Sequence, residues 1–284
     1  DVTAPPDRLT EHPEDLFNWV LDNQVDEIVV AMDDRRRGFP MHQFLECRLA
    51  GIDIVELPTF LERETGKVRL DVLNPSWIIF GEGFRASPLQ RALERGFDVL
   101  ASLALLVAAS PLMVLTYLAI RVEDGWRAPV LYRQRRVGRY SRPFDVLKFR
   151  SMSVDAEKDG AVWATRDDPR VTKVGAVIRK LRIDELPQLF NVIRGEMSFV
   201  GPRPERPEFV EQLEQTIPYY RERHTVKPGI TGWAQLCYPY GSSEKDAIEK
   251  LQYDLYYVKN RSLIFDLAIL VQTVEVVLWG KGAR

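Results

Sequence analysis

The feature that most restricts this chain's fold is a nearly uninterrupted apolar run, FDVLASLALLVAASPLMVLTYLAI, from Phe97 to Ile120. At about 1.5 Å per residue, a straight helix of that length can cross the roughly 30 Å hydrocarbon core of a bilayer. Pro111, however, removes a backbone donor near the middle, and Ser110 beside it can supply a partner for the freed backbone. The run therefore reads as two half-helices, each about 15 to 20 Å long and too short to cross alone. Arg85, Arg91 and Arg95 precede it, and Arg121, Arg127, Arg133, Arg135, Arg136 and Arg139 follow it. The positive-inside bias assigns both flanks to the cytoplasmic side, which favours a re-entrant helix-break-helix over a spanning helix. A buried core helix fits least, because the run is apolar all round.

Before this segment the pattern alternates. EIVVAM reads as a strand, MHQFLECRLAG as a helix ending at Gly51, IDIVEL as a second strand, and PTFLERETG as a helix opened by Pro58. This is part of a βαβ layer, and it lacks the GxGxxG loop of a dinucleotide site. DDRRRG, from Asp33 to Gly38, reads as a solvated loop rather than a ligand site. The chain begins at Asp1 with no signal-peptide pattern, as a fragment or processed chain would. Cys47 and Cys237 are isolated, as are His12, His42 and His224, so neither a disulfide framework nor a zinc site is indicated, and any metal should be held by oxygen. The net charge of -2 says nothing about partners, since basic residues crowd the centre of the chain.

After the apolar run, PVLYRQRRVG and RPFDVLKFRSM read as strands around a basic turn. DDPRVTKVGAVIRKL reads as a helix with Val174, Val177, Ile178 and Leu181 on one face. RIDELPQLFNVIRG opens another between Asp184 and Pro187, with Leu186, Leu189, Phe190 and Ile193 on its buried side and Gly195 at its end. EKDAIEKLQYDLYYVKN and SLIFDLAILVQTVEVVLWG are two further helices; the second, which ends near Trp279, Lys281 and Arg284, can pack into a core or lie at a membrane surface.

Chemistry concentrates at Asp184 and Glu185. Adjacent helical positions differ by about 100°, so the two carboxylates cannot act face to face and take separate roles. A helix start and the nearby Arg179, Lys180 and Arg182 favour the ionised form of both. Such carboxylates can bind a hard cation such as Mg²⁺, attack phosphorus, or simply cap the helix. GEMSFVGPRPERPE adds Arg203 between two prolines, suited to gripping a phosphate, and Lys148, Arg150, Arg223 and Lys227 add further charge on structured segments. Nucleic acid could use a basic surface, but it gives the membrane segment no role; a phosphorylated lipid does.

The motifs SP, KFRSM, LRIDELPQLFNVIRGEMSFVGPRP, KPGITGWAQ and DLYYVKNRSLIFDLAIL, in that order, resemble the bacterial sugar transferases, the monotopic polyprenyl-phosphate sugar-1-phosphate transferases, from Arg91 to about Lys281. The resemblance implies transfer of sugar 1-phosphate from a UDP-sugar to undecaprenyl phosphate, with UMP released. It implies that Asp184 is the covalent nucleophile and contacts Mg²⁺, and that Glu185 assists. Arg179, Arg203 and Lys148 would handle phosphate groups, and Ser110-Pro111 would be the break of the re-entrant hairpin.

Residues 1-88 resemble the tail of the CoA-binding-like, partial Rossmann-like α/β domain of long members, which follows several transmembrane helices. MDDRRRGFP and FLERETGKV resemble members linked to exosortase-associated exopolysaccharide systems. The expected organisation is thus 1-88 partial Rossmann-like domain, 89-121 re-entrant membrane hairpin, and 122-284 mostly α (α+β) catalytic domain. The enzyme would work on the cytoplasmic face of a bacterial inner membrane, as a homodimer, to start exopolysaccharide or other glycoconjugate synthesis. A non-catalytic scaffold of a polysaccharide assembly complex is the alternative, and a dinucleotide-dependent oxidoreductase lacks its glycine loop. The sugar is not legible, because many polar side chains can build a hexose pocket.

Overall fold

The computed structural model describes residues 15–31, 40–73, 75, 83–84, 87–156, 168–238, 241 and 243–279. The chain divides into two compact units, Asp1–Asn74 and Pro75–Arg284. Of the stretch up to residue 88 that the sequence reading joined to the first unit, the described Pro75, Gly83, Phe84, Ser87 and Pro88 belong to the second. Phe84 packs against the main core of the second unit, and Gly83 lies so close to Lys259 that a Cβ there would sit 2.7 Å from its carbonyl oxygen.

The first unit is mixed α/β. Helix α1 (Leu16–Asp22), which the sequence reading did not anticipate, is capped by Asp15 and precedes β1 (Glu27–Val30), α2 (Met41–Leu49), β2 (Asp53–Glu56) and α3 (Leu57–Thr65). β1 and β2 are parallel, with Glu27 opposite Asp53 and Val30 opposite Glu56, so α2 is a crossover helix as the alternating pattern requires. Gly66 ends α3 in the left-handed region, φ 62°, where glycine carries no Cβ penalty. Leu16, Val20, Cys47 and Ile52 form the small core. DDRRRG lies outside the described residues.

The second unit opens on α4 (Pro88–Asp124), capped by Ser87 with Pro88 in its first turn. α4 runs as one helix through Pro111, so the break expected at Ser110-Pro111 is not there. The local chemistry accounts for the continuity. Pro111 cannot donate to the Val107 carbonyl one turn back, and Ser110 Oγ donates to that carbonyl instead, at 2.8 Å.

Along one side of α4, Phe97, Ala101 and Leu106 pack on the main core, while Met113 and Ile120 join a second cluster with Val130, Phe149, Ile178 and Ile183. The outward side leaves Leu100 and Val107 71% and 75% exposed. α4 is long and apolar enough to cross a membrane.

Polar contacts fasten both ends of α4 to the same body. Near the start, Arg95 donates to the carbonyls of Val192 (2.6 Å) and Ile193 (2.5 Å), and Asp98 accepts from Ser198 Oγ (2.9 Å) and Phe199 N (3.1 Å). At its last turn, Glu123 accepts from Lys173 N (2.8 Å) and Val174 N (3.0 Å), and Asp124 accepts from Arg150 (2.5 Å).

β3 (Leu131–Val137) and β4 (Pro143–Phe149) form an antiparallel hairpin in which Tyr132 faces Lys148. α5 (Lys173–Lys180) follows, then a 3-10 turn at Ile183–Glu185 and α6 (Gln188–Arg194), ended by Gly195 with φ 82°. β5 (Ser198–Val200) pairs in parallel with β6 (Gly229–Thr231), and α7 (Pro207–Thr216) lies between them in the chain. α8 (Trp233–Cys237), α9 (Glu244–Asn260) and α10 (Leu263–Trp279) complete the unit. A reciprocal Ser243–Asp246 box starts α9.

Two assigned faces differ from the sequence reading. Val177 (56% exposed) and Leu181 (59%) point outward, because α5 turns its Gly175–Ile178 side inward: Gly175 abuts the Ser151 carbonyl too closely to admit a Cβ. Phe190 is also exposed, while Leu189 is buried in the main core.

Candidate active site

The dyad sits in the tight turn between α5 and α6, and the turn differs from the expected helix start. Arg182 takes a left-handed conformation, φ 57°, and the 3-10 turn follows it immediately; α6 begins only after Pro187. Asp184 makes no capping bond. Its carboxylate is buried, and Oδ1 has no hydrogen-bond partner. A buried, unsatisfied carboxylate oxygen costs free energy, so its persistence marks a position that a bound group would complete.

Glu185 has the opposite environment. Three cations converge on its Oε1: Lys148 Nζ at 3.4 Å, Arg182 Nη1 at 3.5 Å and Arg203 Nη2 at 3.5 Å. Burial alone would raise its pKa, but Lys148, Arg203 and Arg182 outweigh it and hold Glu185 at about 2. Asp184 moves the other way. Burial first, then the charge of Glu185, push it above the ordinary carboxylate value against the pull of Lys148, Arg182 and Arg179. The surrounding cations favour ionisation of both carboxylates as expected; at Glu185 they outweigh burial, while at Asp184 burial and the charge of Glu185 outweigh them.

Each predicted phosphate-binding residue can now be placed. Lys148 projects from β4 to Glu185, and burial lowers its pKa. Arg203 reaches the same oxygen from the Pro202–Pro204 segment, and Glu185 holds it above the usual guanidinium value. Its side chain is 41% exposed, so the group faces both the dyad and solvent. Arg179 stands in the last turn of α5, where its charge acts on Asp184. Ser110 and Pro111 are exposed on α4.

Three other cations named from the sequence lie elsewhere. Arg150 is buried against Asp124, Arg223 is buried against Asp254 at 2.8 Å, and Lys227 stands near Arg95 and Gly195. Arg150 follows β4 and Arg223 sits in a 3-10 helix, and the fold turns both toward carboxylate partners, which no count of charges reveals.

Sequence reasoning missed Gln235, at the end of KPGITGWAQ, whose Oε1 accepts from Arg203 Nη1 at 3.3 Å. It also missed the row on β3 in which Arg136 donates to Gln134 Oε1 at 2.6 Å and Gln134 donates to Tyr132 OH at 3.3 Å. The period-two spacing of Tyr132, Gln134 and Arg136 in LYRQRRV was the available signal, since it sets all three on one face beside Lys148.

Among the described residues, no three His, Cys, Asp or Glu side chains gather into a metal-ion cluster. Mg²⁺ needs no such cluster, because it commonly uses one or two carboxylates with substrate phosphates and water. The unpartnered Oδ1 of Asp184 fits that kind of site.

The chain is similar to known proteins over most of its length. The chain is 42% identical over 260 residues to a UDP-N-acetylgalactosamine-undecaprenyl-phosphate N-acetylgalactosaminephosphotransferase of Aeromonas hydrophila, covering 91% of this chain and 60% of that protein. It is 44% identical over 196 residues to an undecaprenyl-phosphate glucose phosphotransferase of Komagataeibacter xylinus, covering 67% and 36%. It is 42% identical over 258 residues to a UDP-glucose:undecaprenyl-phosphate glucose-1-phosphate transferase of Escherichia coli (strain K12), covering 88% and 54%. The chain thus spans between 36% and 60% of the length of these relatives. The family model described as bacterial sugar transferase matches residues 89–280, and with the dyad, Lys148 and Arg203 all inside that range, this chain belongs to the bacterial sugar transferase family.

Proposed function

We propose that the protein transfers sugar 1-phosphate from a UDP-sugar to undecaprenyl phosphate, by way of a phosphosugar-aspartate intermediate. The observation that carries this reading is the pairing of unlike carboxylates: a buried Asp184 with an unpartnered oxygen beside a Glu185 fixed by three cations. Asp184 attacks the β-phosphorus of the donor, the anhydride bond to the α-phosphate breaks, and UMP leaves with that bond's electron pair. An oxygen of the lipid phosphate then attacks the same phosphorus. The acyl phosphate bond breaks, Asp184 is restored, and the lipid carries a diphosphate-linked sugar. Lys148, Arg179 and Arg203 offset the charge that builds on the phosphate oxygens. Asp184 would hold Mg²⁺ if it binds, and the ion would supply further charge neutralisation.

The same proposal places the enzyme on the cytoplasmic face of a bacterial inner membrane, with the unbroken α4 held along the folded body rather than spanning. Arg95 and Asp98 at one end of α4, and Glu123 and Asp124 at the other, bind a single folded body, which supports attachment from one side. The parallel βαβ arrangement of the first unit supports its reading as part of a Rossmann-like domain of a longer protein. Homodimerisation and a role in starting exopolysaccharide synthesis belong to this reading as well. The sugar is left open, since the relatives' names include both N-acetylgalactosamine and glucose.

The test is UMP release from a panel of UDP-sugars, with and without undecaprenyl phosphate. The expected result is prenyl-dependent release that Asp184→Asn lowers by about 10³-fold or more with circular dichroism unchanged. Near-normal turnover by that variant would end the nucleophile assignment.

A further inference from the structure

Four consecutive carbonyls in the Pro202–Glu205 segment each accept a hydrogen bond from a different donor. Pro202 O accepts from Gly229 N at 3.0 Å, and Glu205 O from Val137 N at 2.9 Å. Between them, Arg203 O accepts from Arg223 Nη2 and Pro204 O from Arg136 Nη1, each at 3.0 Å. Prolines at 202 and 204 have no N–H, so the segment cannot brace itself with local backbone bonds and is held from outside, through its carbonyls.

The two side-chain donors are fixed in their turn. Arg223 is buried; its Nε donates to Asp254 Oδ2 at 2.9 Å and its Nη1 to Tyr220 OH at 2.9 Å. Arg136 donates to Gln134 Oε1 through Nε at 3.0 Å and Nη2 at 2.6 Å, and approaches Glu205 Oε2 at 3.4 Å. A buried ion pair contributes little net stability, and an ordinary surface turn can leave its carbonyls to water. What the two guanidinium groups do provide is a fixed direction for the one side chain between them. Arg203 leaves the backbone where both struts attach, and reaches Glu185 and Gln235.

We infer that Arg223 and Arg136 are positioning residues that aim Arg203 at the phosphate site, an inference that rests on the proposed sugar-phosphate transfer. Neither residue needs to touch substrate. Each holds a backbone carbonyl of the segment that carries Arg203, so its effect passes through that residue.

A mutant cycle in the full chain tests this, with UMP release and UDP affinity as readouts and thermal unfolding as the control. Arg223→Lys and Arg136→Lys, made singly, should lower kcat/KM by about 10- to 100-fold. In an Arg203→Ala background the same changes should have less than about a twofold further effect, because the group being aimed is gone. A full additional loss in that background overturns the inference, as does retention of wild-type rates by both lysine variants. Should Arg223→Lys fail to fold, Arg136→Lys carries the cycle alone. Arg203→Ala with unchanged UMP release and UDP affinity overturns the role of Arg203 and the inference with it. A chain that releases UMP from no donor overturns the proposed reaction, and UDP affinity then reads the same cycle.

Discussion

Lys148 Nζ stands 3.4 Å from Glu185 Oε1, on the oxygen that Arg182 and Arg203 also approach. One carboxylate thus organises three cations while its neighbour, Asp184, keeps an oxygen without a partner. Lys148→Met should lower UMP release by about 10²-fold or more, whereas Lys148→Arg, which keeps the charge, should retain a larger share. Steady-state rates of the two variants check this; equal losses would mean that shape rather than charge matters at this position.

The Glu185 environment also carries a stability signature. Its folded pKa of about 2 lies below the ordinary 4.5, so it contributes stability above 4.5 that is lost as pH falls toward 2. Glu185→Gln should remove that part of the acid dependence. Unfolding midpoints of the wild-type and variant proteins between about pH 5 and pH 2 should converge as the pH drops.

Asp266 has the reverse sign. Burial raises it to about 7 from 3.8, and the accepted Tyr257 hydroxyl, at 2.8 Å, only partly compensates. The folded chain holds this proton after the unfolded chain has released it, so stability declines as pH rises from about 4 to 7. Asp266→Asn keeps an acceptor for Tyr257 and should unfold later than the wild type at pH 8, with the difference shrinking toward pH 4. Thermal scans at the two pH values decide it.

At the middle of α4, Ser110 Oγ replaces the backbone donor that Pro111 lacks. Ser110→Ala should therefore cost about 1 to 3 kcal/mol of stability by leaving the Val107 carbonyl unpaired. Adding Pro111→Ala restores a backbone N–H and should recover most of the loss. A double-mutant cycle of unfolding in lipid nanodiscs measures the coupling, and simple additivity would remove Ser110 from this role.

Glu123 belongs to α4 yet caps α5, accepting from the first two amides of that helix. Glu123→Gln should lower stability by about 0.5 to 2 kcal/mol and reduce UMP release, because α5 leads directly into Arg182 and the dyad. Unfolding curves and rates on the same preparation would show whether the two losses travel together.

Much of this architecture was legible because local rules and tertiary packing agree. Pro58 and Gly66 delimit α3, Gly195 ends α6, and the alternation of β1, α2 and β2 yields a parallel pair. The dyad, Lys148 and Arg203 could be named from their motifs, and the fold brings Lys148 and Arg203 to Glu185. Burial was not. Asp184 and Glu185 are adjacent and share the same cations, yet they are pushed in opposite directions, since desolvation depends on what folds over each group. Arg150 and Arg223 looked like ligands until Asp124 and Asp254 were found beside them, across separations that no local pattern encodes. α4 stayed whole at Pro111 because a hydroxyl one residue away took over a single bond.

The fastening of α4 at both ends also limits how deeply it can sink. To reach the far leaflet, the body would have to release Arg95, Asp98, Glu123 and Asp124, and draw charged side chains into hydrocarbon at about 2.5 kcal/mol or more for each one at the centre. Among the described residues, the outward ridge carrying Leu100 and Val107 is one exposed apolar surface that lipid could wet. Attachment of this kind is a partition equilibrium over an apolar area.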